Sequence, residues 1–205
     1  MEWLGVGAGL NHRLGNTAFL VRGTGNRTLL VDCGFTVTPK LIKSGEVKSI
    51  TDLVLTHAHA DHIGGVEIFA FYNRFVMKGK RPNLYVPDEL FAEYLWNRSL
   101  RGGLEKQQKQ GVPFNATLET YFKVHVGKHV RIPGLPSFDL FGTPHVLGML
   151  AYGVHFLNGV FYSGDTTSMP RPHALANFHD CQYFDTEDDV HATFERLRAL
   201  PADIK

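Results

Sequence analysis

Between positions 56 and 65 the chain reads THAHADHIGG, which sets His57, His59, Asp61 and His62 within six residues of one another, directly after the apolar run Leu53, Val54, Leu55. Three imidazoles and a carboxylate at this density are the donor set of a metal site. An extended backbone points alternate side chains to one face, so His57 and His59 can reach one ion. A turn into a following helix swings Asp61 and His62 toward a second position, and one short loop then serves two ions. Nitrogen and oxygen donors without thiolate suit Zn²⁺ or borderline neighbours such as Mn²⁺ and Fe, and argue against a cysteine-built structural site. Chance is the competing explanation. In a histidine-rich chain this pattern arises by luck on the order of once in several hundred such chains.

Such ligands need strands behind them and helices around them. Alternating or continuous apolar runs predict strands over 17–21, 28–31 and 52–55, with a turn at Gly23, Thr24, Gly25, Asn26, and further strands over 84–86, 138–141, 152–156 and 160–162. Helical spacing of Ile63, Val66, Phe69 and Ala70 predicts a helix over 62–76. Pro87 and an acidic first turn open a second over 88–100, and a third is expected over 190–200. At 205 residues and 43% hydrophobic content, one sizeable core and a single domain over 1–205 are expected, with a helical and loop insertion at about 88–130. No stretch is apolar enough to span a bilayer, and Met1-Glu2-Trp3 lacks a basic start and an apolar signal core, so a cytoplasmic protein without membrane contact is expected. In that compartment Cys33 and Cys181 are reduced thiols, Cys33 serving as a small buried hydrophobe. The glycines at 5, 7 and 9 are not a dinucleotide loop, because no helical pattern follows them.

The HxHxDH run at a strand end resembles the first metal motif of the metallo-β-lactamase superfamily, whose fold is an α+β, four-layer αββα sandwich. Other residues carry the same resemblance in the same chain order. Leu29 to Gly34 form an apolar strand ending in Asp32 and a glycine, His145 follows the run 138–142, and Asp165 sits in Phe161-Tyr162-Ser163-Gly164-Asp165-Thr166. The resemblance implies that His57, His59 and His145 hold one metal, Asp61 and His62 the other, with Asp165 bridging. It also implies a closing histidine on a strand after the last long helix. Only 201–205 follow that helix here, so a sandwich lacking its last strand is expected. The opening glycines, the pair His179-Asp180 and the run Val190-His191-Ala192-Thr193 resemble the ribonuclease Z-like branch, in which the later histidine helps to protonate the leaving group. That implies a catalytic role for His191 beside Asp61.

Two metals in such a site activate a bridging hydroxide and stabilise charge on phosphate oxygens, and phosphodiester hydrolysis is the natural reaction. Overall charge is only +1, which argues against a broad phosphate-gripping surface, although 71–134 holds 11 Lys and Arg against 5 Asp and Glu while 165–205 holds 4 against 8. No Gly/Pro-rich basic arm for holding tRNA is present. The runs Gly65 to Glu67, Phe71 to Asn73, Arg81 to Pro87, Ser99 to Glu105 and Leu118 to Phe122 are similar to the anti-Pycsar phosphodiesterases and their bacterial relatives. That similarity implies a homodimer that hydrolyses 3′,5′-cyclic nucleotides, cyclic CMP and cyclic UMP included, to 5′-nucleotides, with two divalent ions, zinc before manganese. The alternatives are a tRNA 3′-end endonuclease, which would take RNA as partner, and a metal-incompetent nucleotide binder. Tyr121 and Phe122 have the chemistry to stack on a base, against a plainer packing role.

Overall fold

The apolar runs on either side of the histidine motif become neighbouring parallel strands, and this sets the direction of everything the motif can reach. The computed structural model describes residues 1–171, 174–184 and 190–201. Its contacts divide into two units, Met1–Gly127 with Pro133–Leu135, and Lys128–Ile132 with Pro136–Lys205.

In chain order the first unit contains β1 (Glu2–Gly5), β2 (Ala18–Arg22), β3 (Thr28–Val31), α1 (Val37–Ser44), β4 (Asp52–Val54), α2 (Ala60–Ile63), α3 (Val66–Phe71), β5 (Asn83–Val86), α4 (Glu89–Leu95), α5 (Arg101–Leu104), β6 (Lys106–Lys109), β7 (Val112–Asn115), α6 (Leu118–Tyr121) and β8 (Lys123–Val126). Six strands pair in the order β1-β2-β3-β4-β5-β8, and β6 with β7 forms a separate hairpin. The steps from β3 to β4, β5 and β8 are all parallel. Every residue of β3 and β4 is buried, as expected for central parallel strands covered on both faces. Phe19, Leu20, Leu29, Leu30, Leu53, Phe69, Phe91 and Phe122 are fully buried and make the core of this unit.

The helix expected over 62–76 is divided. Gly64 and Gly65 separate α2 from α3, and residues Tyr72–Val76 form a π-helical turn. Close approach of the backbone explains the break: a Cβ on Gly65 would stand 2.5 Å from the carbonyl oxygen of Gly34, whose neighbour Cys33 accepts the Gly65 N–H at 2.8 Å. The second expected helix is present as α4, continued by a π-helical turn over Trp96–Leu100. Helix α1 is not among the helices that the apolar spacing predicts, and its Val37, Thr38 and Leu41 are buried.

The second unit contains β9 (His129–Val130), β10 (Phe138–Gly142), β11 (Tyr152–Phe156), β12 (Val160–Tyr162), β13 (Ala176–Phe178) and α7 (Phe194–Arg198). Its strands pair in the order β13-β12-β11-β10-β9. Phe138 lies opposite Phe156 across β10 and β11, their rings 5.5 Å apart, and the pair anchors this unit's core. The helix expected over 190–200 is shorter than its pattern. Gln182 donates its N–H to Ala192 and accepts that of Phe194, so residues up to Thr193 run extended, and α7 starts only after Thr193 caps the Arg196 N–H. Both cysteines are free thiols, Cys33 buried and Cys181 exposed. Among the described residues no helix is long and apolar enough to cross a membrane.

Candidate metal centre

In the first unit the carboxyl ends of β3 and β4 lie side by side, and the loops that leave them carry the donors. His57 and His62 are buried, while His59 and Asp61 are partly exposed. His59 stands at the N-terminal boundary of α2 in an extended conformation, and its carbonyl accepts the N–H groups of His62 and Ile63 at 2.9 Å each. That tight turn folds the motif onto itself. His57 Nε2 lies 3.0 Å from His59 Nδ1, the His57 and His62 rings are 4.2 Å apart, and His62 Nε2 is 3.6 Å from an Asp61 oxygen. All four residues predicted from the motif are therefore brought together.

Two further residues decide which nitrogens face the centre. Asp32 is buried, adopts a left-handed φ of +60°, and accepts the N–H of Thr56 at 2.8 Å and its hydroxyl at 2.9 Å. Its second oxygen lies 2.9 Å from His62 Nδ1. A carboxylate only accepts, so Nδ1 of His62 carries the hydrogen and Nε2 carries the lone pair. Thr56 gives its hydroxyl hydrogen to Asp32, so it accepts from His57 Nδ1 at 3.1 Å and sets the same tautomer there. In the sequence Asp32 shows only as the acidic end of an apolar strand. The available signal was a carboxylate embedded in an apolar strand, a residue type rarely buried without a partner.

The second unit holds a matching cluster. His145 Nδ1 donates to the carbonyl of Val190 at 2.7 Å, which makes Nε2 its lone-pair nitrogen, and Nε2 lies 3.9 Å from an Asp165 oxygen. His191 Nδ1 is 2.7 Å from Asp180 and 3.8 Å from Asp165. The same Asp180 oxygen accepts the Thr166 N–H at 3.0 Å. Asp165, Asp180 and His191 each offer a donor atom, all within 4.8 Å of one another. Within this unit His145, Asp165 and His191 lie close together. Asp180, in the sequence only the second residue of the His179-Asp180 pair, is the residue that orients His191.

Both clusters fit divalent metal ions by their donor chemistry: imidazoles held as lone-pair donors by a carboxylate, a hydroxyl and a carbonyl behind them, with carboxylates alongside. The Cys33 thiol takes no part. Burial pushes it up to about 12, well above an ordinary thiol, and its sulfur rests 3.2 Å from the Thr38 hydroxyl.

Comparison with known proteins agrees with this chemistry. A family model described as Anti-Pycsar protein Apyc1 matches residues 1–205. The Anti-Pycsar protein Apyc1 of Bacillus phage vB_BsuM-Goe3 is 36% identical over 215 residues, covering 96% of this chain and 80% of the phage protein. The protein of the same name from Paenibacillus sp. (strain J14) is 32% identical over 217 residues, covering 100% of this chain and 85% of its own. Among solved structures, the metallo-beta-lactamase fold protein YhfI from Bacillus subtilis superposes with a TM-score of 0.67 at 18% identity, over 94% of this chain and 76% of that one. Human tRNase Z, short form, superposes with a TM-score of 0.63 at 16% identity, over 95% and 85%. These likenesses show the metallo-β-lactamase fold that the motifs predict. Matched over its whole length, the chain belongs to the Anti-Pycsar protein Apyc1 family.

Proposed function

We propose that this protein is a metal-dependent phosphodiesterase that opens 3′,5′-cyclic mononucleotides, cyclic CMP and cyclic UMP among them, to 5′-nucleotides. The observation that carries the reading is membership of the anti-Pycsar family by a chain that keeps its imidazole and carboxylate clusters. Following the family resemblance, His57, His59 and His145 would hold one ion and Asp61 and His62 the other, with Asp165 shared. Divalent ions, zinc first and manganese second, would supply Lewis acidity toward the phosphate and acidify water toward neutrality. The remaining chemistry belongs to the chain. Asp32 and Thr56 keep His62 and His57 in the donor tautomer. Asp61 orients the attacking hydroxide, formed when a water gives its proton to solvent, and the hydroxide oxygen bonds to phosphorus as the bond to the 3′-oxygen breaks. His191, its Nδ1–H on Asp180 at 2.7 Å, is stabilised as an imidazolium and delivers a proton from Nε2 to the departing 3′-oxygen. By the same resemblance the working form is a homodimer, and the cytoplasm, where two free thiols stay reduced, is its compartment.

The experiment is release of 5′-nucleotide from a panel of cyclic mononucleotides by the metal-loaded protein and by His59→Ala. Turnover that His59→Ala abolishes is expected, and no release from any cyclic nucleotide at full metal loading would overturn the reading. The leaving-group assignment has its own check. His191→Ala should lose about 10²–10⁴-fold on cyclic CMP but little on a p-nitrophenyl phosphodiester, whose leaving group departs without a proton. Equal losses on both substrates would remove His191 from that role.

A further inference from the structure

We propose that His12 and Phe35 form the face on which the nucleobase of the substrate stacks. The inference rests on the cyclic-nucleotide reading above and names the residues that recognise the base. Both rings lie in the first unit, on two loops that press against the metal motif.

The loop between β1 and β2 is closed at its base and turned twice. The Gly7 N–H bonds to the Gly15 carbonyl at 2.7 Å, the Asn11 N–H to that of Ala8 at 2.9 Å and the Gly15 N–H to that of Asn11 at 3.1 Å, while the Asn11 side chain accepts the Leu14 N–H at 3.1 Å. His12 is therefore carried on an ordered turn. The same loop touches a metal donor: a Cβ on Gly9 would stand 3.3 Å from a carboxylate oxygen of Asp61. The loop leaving β3 brings Phe35 to the motif from its other end, where the Phe35 Cβ lies 3.2 Å from the place a Cβ on Gly64 would take. The two loops then meet, the His12 and Phe35 rings standing 6.0 Å apart at an angle of 59°. That tilt lets one ring lie flat on a base while the other meets its edge.

Burial decides which rings are free to do this, because a base needs an aromatic face that is open before it arrives. Tyr121 and Phe122 have the chemistry but are 1% and 0% exposed, and both belong to the core. Among the described residues of the first unit, two phenylalanines are exposed, Phe35 and Phe75. Phe75 lies in the π-helical turn after α3, against the Phe71 ring and the Arg74 guanidinium, whereas Phe35 adjoins the metal motif. His12 is exposed, and among the described residues its imidazole makes no hydrogen bond, so a ring N–H and a lone pair are both open to the polar edge of a base. A face of this kind accepts cytosine and uracil alike, since every base has a π-face.

The test compares 5′-CMP with ribose 5-phosphate, which lacks the base and is likewise not hydrolysed. Both would be titrated by calorimetry into the metal-loaded protein, His12→Ala, Phe35→Ala and Phe35→Tyr, beside measurements of KM and kcat for cyclic CMP. Expected is a preference for 5′-CMP that falls at least about fivefold in each alanine variant, the low end of what a base stacked on an aromatic side chain contributes, and that Phe35→Tyr retains. KM for cyclic CMP should rise by a similar factor, with kcat changed by less than about twofold. No preference for 5′-CMP in the unsubstituted protein, a preference that both alanine variants keep, or equal weakening of both ligands would overturn the proposal. The hydrolytic reading fails separately: 5′-CMP held through these rings by a protein that does not open cyclic CMP refutes that reading and leaves the base site standing.

Discussion

At the scale of single residues, the centre depends on groups that touch no substrate. Asp32 holds His62 in its donor tautomer from a left-handed backbone position that asparagine also tolerates. Asp32→Asn therefore removes the charge while sparing the backbone, and metal affinity should fall by about 10–100-fold, read by titration of the apoprotein with Zn²⁺ against a competing chelator. Unchanged affinity would mean that His62 is oriented by something else. Cys33 makes the contrary case, a reactive residue type rendered inert. Its pKa is pushed up to about 12, chiefly by burial, so the folded protein keeps the thiol neutral where an unfolded chain already ionises it. The contribution of this group is present below pH 9 and is lost as pH rises from 9 toward 12. Folding stability measured by urea titration should decline across that window, and the decline should be smaller in Cys33→Ala. Iodoacetamide at pH 8 should modify only the exposed Cys181 until the protein is unfolded.

At the scale of elements, the metal loop is set by backbone approach as much as by its histidines. A Cβ on Gly34, just after β3, would stand 1.9 Å from the carbonyl oxygen of Asp61, so a side chain there must push α2 away. Gly34→Ala should lower turnover by about 10²-fold through displaced ligands. Gly45, at the end of α1, has a φ of +79° and nothing within 4 Å of a Cβ, so Gly45→Ala should cost only about 1 kcal/mol in stability and leave turnover alone. Thermal melts and rates on both variants separate the two effects. The helix that the apolar spacing predicts over 62–76 fails for the same reason. Periodicity reports which face is apolar, but not that the carbonyl of Cys33, in the loop after β3, must reach the backbone at Gly65. Helix α7 is likewise shortened by a partner distant in sequence, Gln182, whose backbone bonds claim Ala192 and Phe194.

At the scale of the whole molecule, each unit holds its own ordered set of donors, and ordered donors couple metal binding to folding. Chelation should lower the melting temperature, and restoring Zn²⁺ at about 100 times its dissociation constant should return about 2.7 kcal/mol. The shift should be smaller in His57→Ala, which removes one donor of the first unit. A melting curve indifferent to metal in the unsubstituted protein would mean that the donor clusters hold no ion.

The metal motif could be read directly from the chain because its four donors lie within six residues, where backbone geometry alone sets which side chains share a face. Most strands were legible too, since β3, β4, β11 and β12 are short apolar runs bounded by turns. His145, Asp165 and His191 needed the family resemblance, because nothing in their own neighbourhoods distinguishes them from ordinary residues. Only the tertiary structure revealed the groups behind the ligands. Asp32 meets His62 across 30 positions and the Val190 carbonyl meets His145 across 45, contacts that exist because particular strands pair and particular loops cross. Local spacing determines what chemistry a segment can offer, whereas the tautomer and aim of each donor are decided by hydrogen bonds to residues far away in the chain.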